Sequence, residues 1–291
     1  MYKPYEYLDV TLPKLIDSRG LNASNVNSLA SFKKSLKKIE EELKYIGFSD
    51  VDLSRAQIEE IEINVNVPLQ RDFHEYKGTL EYLKTLLPKT LRKGHSYEDR
   101  LNNEYTGFLV KNNSVSVKFY DKRKNVLEEH KTDIGHELLR IEYRLLKAEK
   151  VKGFLGTIEV NDLLKNFDAV AQSFKKGLEK DMISKIQSNI DQQIKDTVKV
   201  LKEYKAKYKS KYIAQAVSAM GTSLLDYEIL KRAFEMVEEG KNKSTLKNNL
   251  TLIRTKLREK EGLNNIEYFG VIDKINEILV SLGYEKIVIK K

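Results

Sequence analysis

Cysteine is absent from this 291-residue chain, and that one absence closes several routes. No disulfide framework can staple the fold, no zinc ribbon, zinc finger or iron–sulfur cluster can form, and no thiol nucleophile is on offer. Any metal site has to be built from oxygen and imidazole. Histidine is scarce as well: His74, His95, His130 and His136 stand apart, and no two form a His-x-His pair. Nothing approaches eighteen consecutive apolar residues, and the opening MYKPYEYLDV lacks the apolar run of a signal peptide, so the expectation is a cytoplasmic protein with no membrane partner. There is no Walker-type phosphate loop, no H-E-x-x-H and no Gly-x-Ser-x-Gly elbow. Internal repeats and low-complexity linkers are missing too.

What is present is an ordinary balance for a folded domain, 41% hydrophobic and 33% charged residues. Net charge is +9 and unevenly spread: residues 1–150 hold 26 Lys and Arg against 24 Asp and Glu, whereas residues 151–291 hold 26 against 19. A positive second half joined to a nearly balanced first half suits an anionic polymer gripped by the later segment. A uniformly lysine-rich source would produce the same total.

Periodicity separates the two halves. A helical pattern runs from Asn25, read as its cap, through Leu29, Phe32, Leu36, Ile39 and Leu43 to Gly47. EEIEINVNVP then alternates strictly, with Ile61, Ile63, Val65 and Val67 on one face and Glu60, Glu62, Asn64 and Asn66 on the other. A second helix is expected over about residues 72 to 87. YTGFLV and SVSVKFYDK flank Lys111-Asn112-Asn113 at hairpin spacing. The later strand sets Val115, Val117 and Phe119 against Ser116, Lys118 and Tyr120, and LLRIEYRLL sets Ile141, Tyr143 and Leu145 against Arg140, Glu142 and Arg144. The expected class is α+β: an antiparallel sheet with one helix-covered apolar face and one solvated polar face, followed by an all-helical C-terminal region. The expected division is 1–157 and 158–291, with one long stretch from about Asp162 to Tyr212 that has room for a break, shorter helices around 223–239, 244–260 and 266–282, and a β-prone end, KIVIKK.

The polar sheet face is where chemistry is expected. A tyrosine hydroxyl titrates near 10, so it needs a cation beside it to act as a nucleophile at neutral pH. Lys118 and Lys122 are read on the same strand face as Tyr120. Carboxylates such as Glu62 and Glu142 form a hard-oxygen cradle for Mg²⁺ or Mn²⁺, which would polarise a phosphate oxygen. Cross-strand pairing of Glu with Arg or Lys for solubility alone gives the same alternation.

The first 155 residues resemble the gene II type replication proteins of filamentous phages and the related initiators of rolling-circle plasmids. TLPKL followed by RGLNASN looks like the family's leucine-proline-lysine opening, IEINVNV like its acidic strand, VKFYDK like its tyrosine-aspartate-lysine strand, and LLRIEYRL like its arginine-x-glutamate strand. Carried over residue by residue, the resemblance makes Glu62 and Glu142 the metal-site carboxylates and Tyr120 the nucleophile, with a role for Asp121 and Lys122. Glu62 stands where aspartate is more typical and Glu60 where arginine is common, and Glu128 or Glu129 takes the place of the acidic residue after the tyrosine motif. The lack of a His-x-His pair excludes the commoner nickase class and agrees with this branch. The implied reaction is attack by Tyr120 on an origin phosphodiester, giving a 5′-phosphotyrosine link and a free 3′-hydroxyl, without a nucleotide cofactor. Partners allowed by this reading are origin DNA, single-stranded at the nick and duplex nearby, a host helicase and polymerase, and a second copy in a homodimer.

DNA contacts are expected from Lys118, Arg140 and Arg144 on the sheet and from Lys199, Lys202, Lys205, Lys207, Lys209 and Lys211, interleaved with Tyr204, Tyr208 and Tyr212. A solvated helix face with inward-packed tyrosines fits that spacing equally. AQAVSAMGTSLLDYEILKRAF could hold a helix-turn-helix. Two other functions remain open: a mobilisation relaxase with the same chemistry, and a non-catalytic nucleic-acid-binding protein.

Overall fold

The structure is a computed structural model that describes residues 8–17, 26–48, 51–91, 93–98, 104–220, 226–240, 242–264 and 269–289. In chain order its elements are α1 (Leu12–Ile16), α2 (Leu29–Tyr45), β1 (Ile61–Pro68), α3 (Lys77–Leu86), β2 (Lys93–Glu98), β3 (Tyr105–Lys111), β4 (Val115–Asp121), α4 (Lys122–His130), β5 (Leu138–Leu145), α5 (Ala148–Leu155), α6 (Val160–Lys165), α7 (Asp168–Leu178), α8 (Ser184–Tyr208), α9 (Tyr212–Ala219), α10 (Tyr227–Val237), α11 (Lys243–Asn264) and α12 (Val271–Ser281). The class is α+β: an antiparallel sheet of five strands in the order β1-β5-β4-β3-β2, with a helical C-terminal region.

Two compact units share the chain, and neither is one continuous stretch. The first comprises 1–66 and 111–177, and the second 67–110 and 178–291. A cut at residue 158 follows neither of these lines. Helical patterning does take over there, but a change of local periodicity says nothing about which segments pack together.

In the first unit, α2 begins at Ser28, whose hydroxyl accepts from the Ser31 amide at 3.2 Å while the Ser31 hydroxyl accepts from the Ser28 amide at 3.1 Å. Two orphan helix donors are thereby satisfied. Ser28 thus takes the capping role expected of Asn25, which lies outside the described residues. The helix ends as expected at Gly47, whose φ of 103° lets Phe48 donate to Leu43 and Gly47 to Lys44. The inner sheet face packs Leu145 with Phe32, Val151, Leu155, Val160 and Leu163, and partly buried Ile61, Ile63 and Val115 join them. Tyr143 lies on this core side, with its ring against Phe154 and Phe174. The loop before β4 turns at Asn112, whose side-chain oxygen accepts from the Ser114 and Val115 amides.

Helix α4 was not among the expected elements. Asp121 caps it by accepting from the Lys124 amide at 2.9 Å, and Lys131, at φ 55°, closes it. Only Val126 among its apolar side chains is buried, so no apolar period announces it.

In the second unit, carboxylates tie distant segments together around an apolar core that includes Leu80, Ile190, Phe234 and Ile275. Glu277 of α12 accepts from the Tyr76 hydroxyl at 2.5 Å and from the Gln70 amide at 2.7 Å. Asp226 accepts from the Glu228 amide at 2.7 Å and the Val271 amide at 3.0 Å, tying the starts of α10 and α12 together, and burial pushes its carboxyl up to about 6. Lys185 of α8 donates to the carbonyl that ends α3, at Leu86. The expected long stretch from Asp162 is broken between α6 and α7, by a π-helical turn at Glu179–Ile183 and by a 3₁₀ turn at Lys209–Lys211. Residues 286–289 of the β-prone end form no strand, and the turn of the suspected helix-turn-helix, 221–225, lies outside the described residues.

Candidate active site on the polar sheet face

Strands β4 and β5 pair antiparallel, with Ser116 opposite Arg144, Lys118 opposite Glu142 and Tyr120 opposite Arg140. Their polar side chains therefore share one face, as the alternation in sequence requires, with Lys118 and Glu142 of opposite charge across the strands. The Tyr120 hydroxyl reaches diagonally and donates to Glu142 Oε1 at 2.6 Å. Lys118 Nζ sits 3.9 Å from the centre of the Tyr120 ring, and Lys122 Nζ lies 5.7 Å from it. Arg140 donates through Nε to Asn66 Oδ1 of β1 at 2.7 Å, and Arg144 pairs with Glu60, so β1 contributes to the same face.

Among the described residues this face is open at one end and closed at the other. Tyr120 and Glu142 are each 7% exposed and Arg140 is fully buried, whereas Glu62 and Arg144 remain in solvent. The expectation of a solvated face thus holds for half of it, because alternation assigns a side chain to a side and says nothing of what covers that side. Arg140, expected to touch DNA from the surface, is enclosed as a counter-charge. Lys122 is also placed differently. It is the first residue of α4, not a strand residue, yet its buried ammonium still faces the tyrosine ring. It donates to Asn125 Oδ1 at 2.7 Å, and Asn125 donates to Glu129 Oε1 at 2.8 Å. Asp121 acts as the helix cap, and Glu129 enters through Asn125. Asn66 and Asn125 are the members of this network that sequence reading did not single out, since amides carry no charge pattern to mark them.

Electrostatics follow from the enclosure. Burial, then the charge of Glu142, pushes the Tyr120 hydroxyl well above the ordinary tyrosine value, with Arg140 opposing. The resting phenol is neutral and donates. Burial lowers Lys122 to about 8, with Arg140 adding to the effect. Glu62 is raised by desolvation of its carboxyl and by Glu142, although its outer edge meets water. Two carboxylates pressed together on one face, with cations around them, suit a hard divalent ion that keeps several water or substrate oxygens. Among the described residues no group of three or more His, Asp or Glu converges, so Glu62 and Glu142 would be the protein's whole contribution.

Tyr–Glu hydrogen bonds also occur elsewhere, as fasteners: Tyr76 with Glu277, and Tyr212 with Glu238 at 2.7 Å. The pair at Tyr120 differs in having a second carboxylate near it and an open edge at Glu62. Tyr97 and Tyr105 lie apart from this face: the Tyr97 ring meets His95 edge-on, and Tyr105 is buried, with Lys77 Nζ 6.0 Å from its ring centre and its hydroxyl raised by desolvation and by Glu81.

In the second unit the expected basic cluster divides. Lys199, Lys202, Lys207, Lys209 and Lys211 are exposed. Lys205 is not a free surface cation: it pairs with the buried Glu238 at 2.7 Å and donates to the Val237 carbonyl. Tyr212 is buried on the same carboxylate, and Tyr204 and Tyr208 stack on each other at 5.4 Å, half-buried. Tyr212 therefore belongs to the core and cannot stack a base.

No protein-family model, curated protein or solved structure matches this chain.

Proposed function

We propose that this protein nicks and rejoins one DNA strand through a phosphotyrosine link at Tyr120, as a replication initiator does. The observation that carries the reading is the 2.6 Å hydrogen bond from the Tyr120 hydroxyl to Glu142, set between Lys118 and Lys122 and beside a second carboxylate, Glu62. The resemblance of the four short segments points to the same residues. A divalent ion held by Glu62 and Glu142 would neutralise a phosphate oxygen and draw the phenol toward ionisation.

The chain's own residues supply the rest. Glu142 fixes the direction of the phenol and offers the first acceptor for its proton. Lys118 and Lys122 stabilise the phenolate and the phosphate as charge develops. Attack of the tyrosine oxygen on phosphorus forms the O–P bond and breaks the bond to the 3′-oxygen, which takes up the proton that Glu142 received from the phenol. The strand's phosphodiester energy is kept in the new ester, so no nucleotide cofactor is required. A mobilisation relaxase would use the same chemistry on a transfer origin.

The test is a labelled single strand from the hairpin region beside the gene, incubated with the full chain and Mn²⁺. A covalent adduct is expected, and Tyr120→Phe should abolish it while leaving unfolding free energy within about 1 kcal/mol of the parent, since one hydrogen bond is lost. Adduct formation should decline as pH rises through about 8, where Lys122 loses its charge, and Lys122→Arg should move that decline upward. An adduct that survives Tyr120→Phe would falsify the assignment.

A further inference from the structure

Helix α11 carries a face that the nicking reading does not use. Its apolar side is fixed: Ile253 and Leu257 are fully buried, with Leu246 and Leu250 half-buried beside them. Every side chain on the opposite side is exposed, namely Ser244, Lys247, Asn248, Thr251, Arg254, Thr255 and Arg258. These recur at steps of three and four, so they line one stripe of about 21 Å at 1.5 Å per residue. As far as Arg258 the stripe holds three cations, an asparagine and three hydroxyls. The helix's two acidic residues, Glu259 and Glu261, lie in its last turns; exposed Glu259, four residues after Thr255, continues the stripe and pairs with Lys256 at 2.6 Å.

The helix is also held firmly. Asn242 caps its start by accepting from the Ser244 amide at 2.9 Å. Lys260 turns inward and donates to the carbonyls that end α9, at Val217 (2.9 Å) and Met220. The Arg254 guanidinium lies over the Tyr227 ring of α10, 4.7 Å from its centre. A net-cationic, firmly mounted helix face is complementary to a polyanion.

We infer that α11 enters the major groove of duplex DNA, where Lys247 and Arg258 meet phosphates or guanine and Asn248 reads a base edge. The major groove of B-form DNA is about 12 Å wide and admits one α-helix, whereas the deep groove of A-form RNA does not. Asparagine matches the N6 and N7 pattern of adenine, and arginine matches O6 and N7 of guanine. Serine and threonine hydroxyls suit backbone oxygens. The inference stands whether or not Tyr120 is a nucleophile, because a non-catalytic protein could read duplex in the same way.

The test is selection of bound duplexes from a randomised 30-base-pair pool by the full chain, followed by fluorescence anisotropy on the selected duplex over a range of salt. A sequence preference is expected. Asn248→Ala should relax it at one position, with about tenfold loss on the preferred duplex and little on random duplex. Lys247→Ala and Arg258→Ala should each flatten the salt slope by about one. All three side chains are exposed, so circular dichroism and melting should be unchanged. A pool that emerges unselected, double-stranded RNA bound as tightly as DNA, or variants that leave duplex affinity unchanged would each overturn the inference. Tyr120→Phe separates the two readings, since it should remove the adduct and spare duplex binding.

Discussion

At the scale of single residues, Glu62 illustrates how a site can work against stability. Its carboxyl is raised because desolvation and Glu142 both disfavour its charge. A carboxyl whose folded value lies above its unfolded one favours the fold at low pH, and that contribution is lost as pH rises through the folded value. At neutral pH two carboxylates therefore face each other at a cost. Glu62→Gln should raise the melting temperature slightly at pH 7.5, the effect being damped because Glu62 is open to water, and should change it less at pH 4. The same substitution should weaken Mn²⁺ binding by at least tenfold in calorimetry on DNA-free protein, because a neutral amide is a poorer ligand for a hard ion. Equal melting at both pH values, or undiminished Mn²⁺ affinity, would detach Glu62 from the site.

At the scale of elements, α8 and the turn after it present lysines of two kinds. Lys205 closes a buried arrangement with Glu238 and Tyr212, whereas Lys202, one turn earlier, is exposed. Removing one partner of a buried charge leaves the other unsatisfied, so Lys205→Ala should cost about 2–4 kcal/mol in urea denaturation. Lys202→Ala should stay within about 0.5 kcal/mol and act, if anywhere, on nucleic-acid affinity. The composition of this segment does not distinguish the two, because the distinction rests on what lies opposite. Sequence was informative where one period governs a whole element. The alternation of β1, β4 and β5 placed Glu62, Tyr120 and Glu142 on one side and Tyr143 in the core, as the structure has them. It was silent on α4, which has one buried apolar side chain, and on the enclosure of Arg140 and Lys122. Neither depends on a repeat within the element.

At the scale of the whole chain, the second unit is assembled from segments far apart in sequence. Tyr76 and Gln70 meet Glu277, Lys274 donates to the Glu75 carbonyl, and Lys185 donates to that of Leu86. No local pattern announces such partnerships, which is why a boundary drawn where helices begin differs from the compact units. A fragment of residues 1–158 would keep 67–110 and lose everything in 178–291 that packs with it. It should show no cooperative melting transition, and co-expression of 159–291 should recover one. A fragment that melts sharply by itself would show that 67–110 needs no partner.

The same discontinuity sets a schedule for the nascent chain. Synthesis runs at roughly 5–20 residues per second, and roughly 180 residues separate the end of 67–110 from the end of the chain. The segment bearing Tyr76, Leu80 and Leu83, all buried in the finished protein, therefore waits on the order of 10–40 s for its cover. For that interval its apolar side chains are a substrate for chaperones, and the rate of translation downstream of codon 110 becomes a determinant of the yield of folded protein.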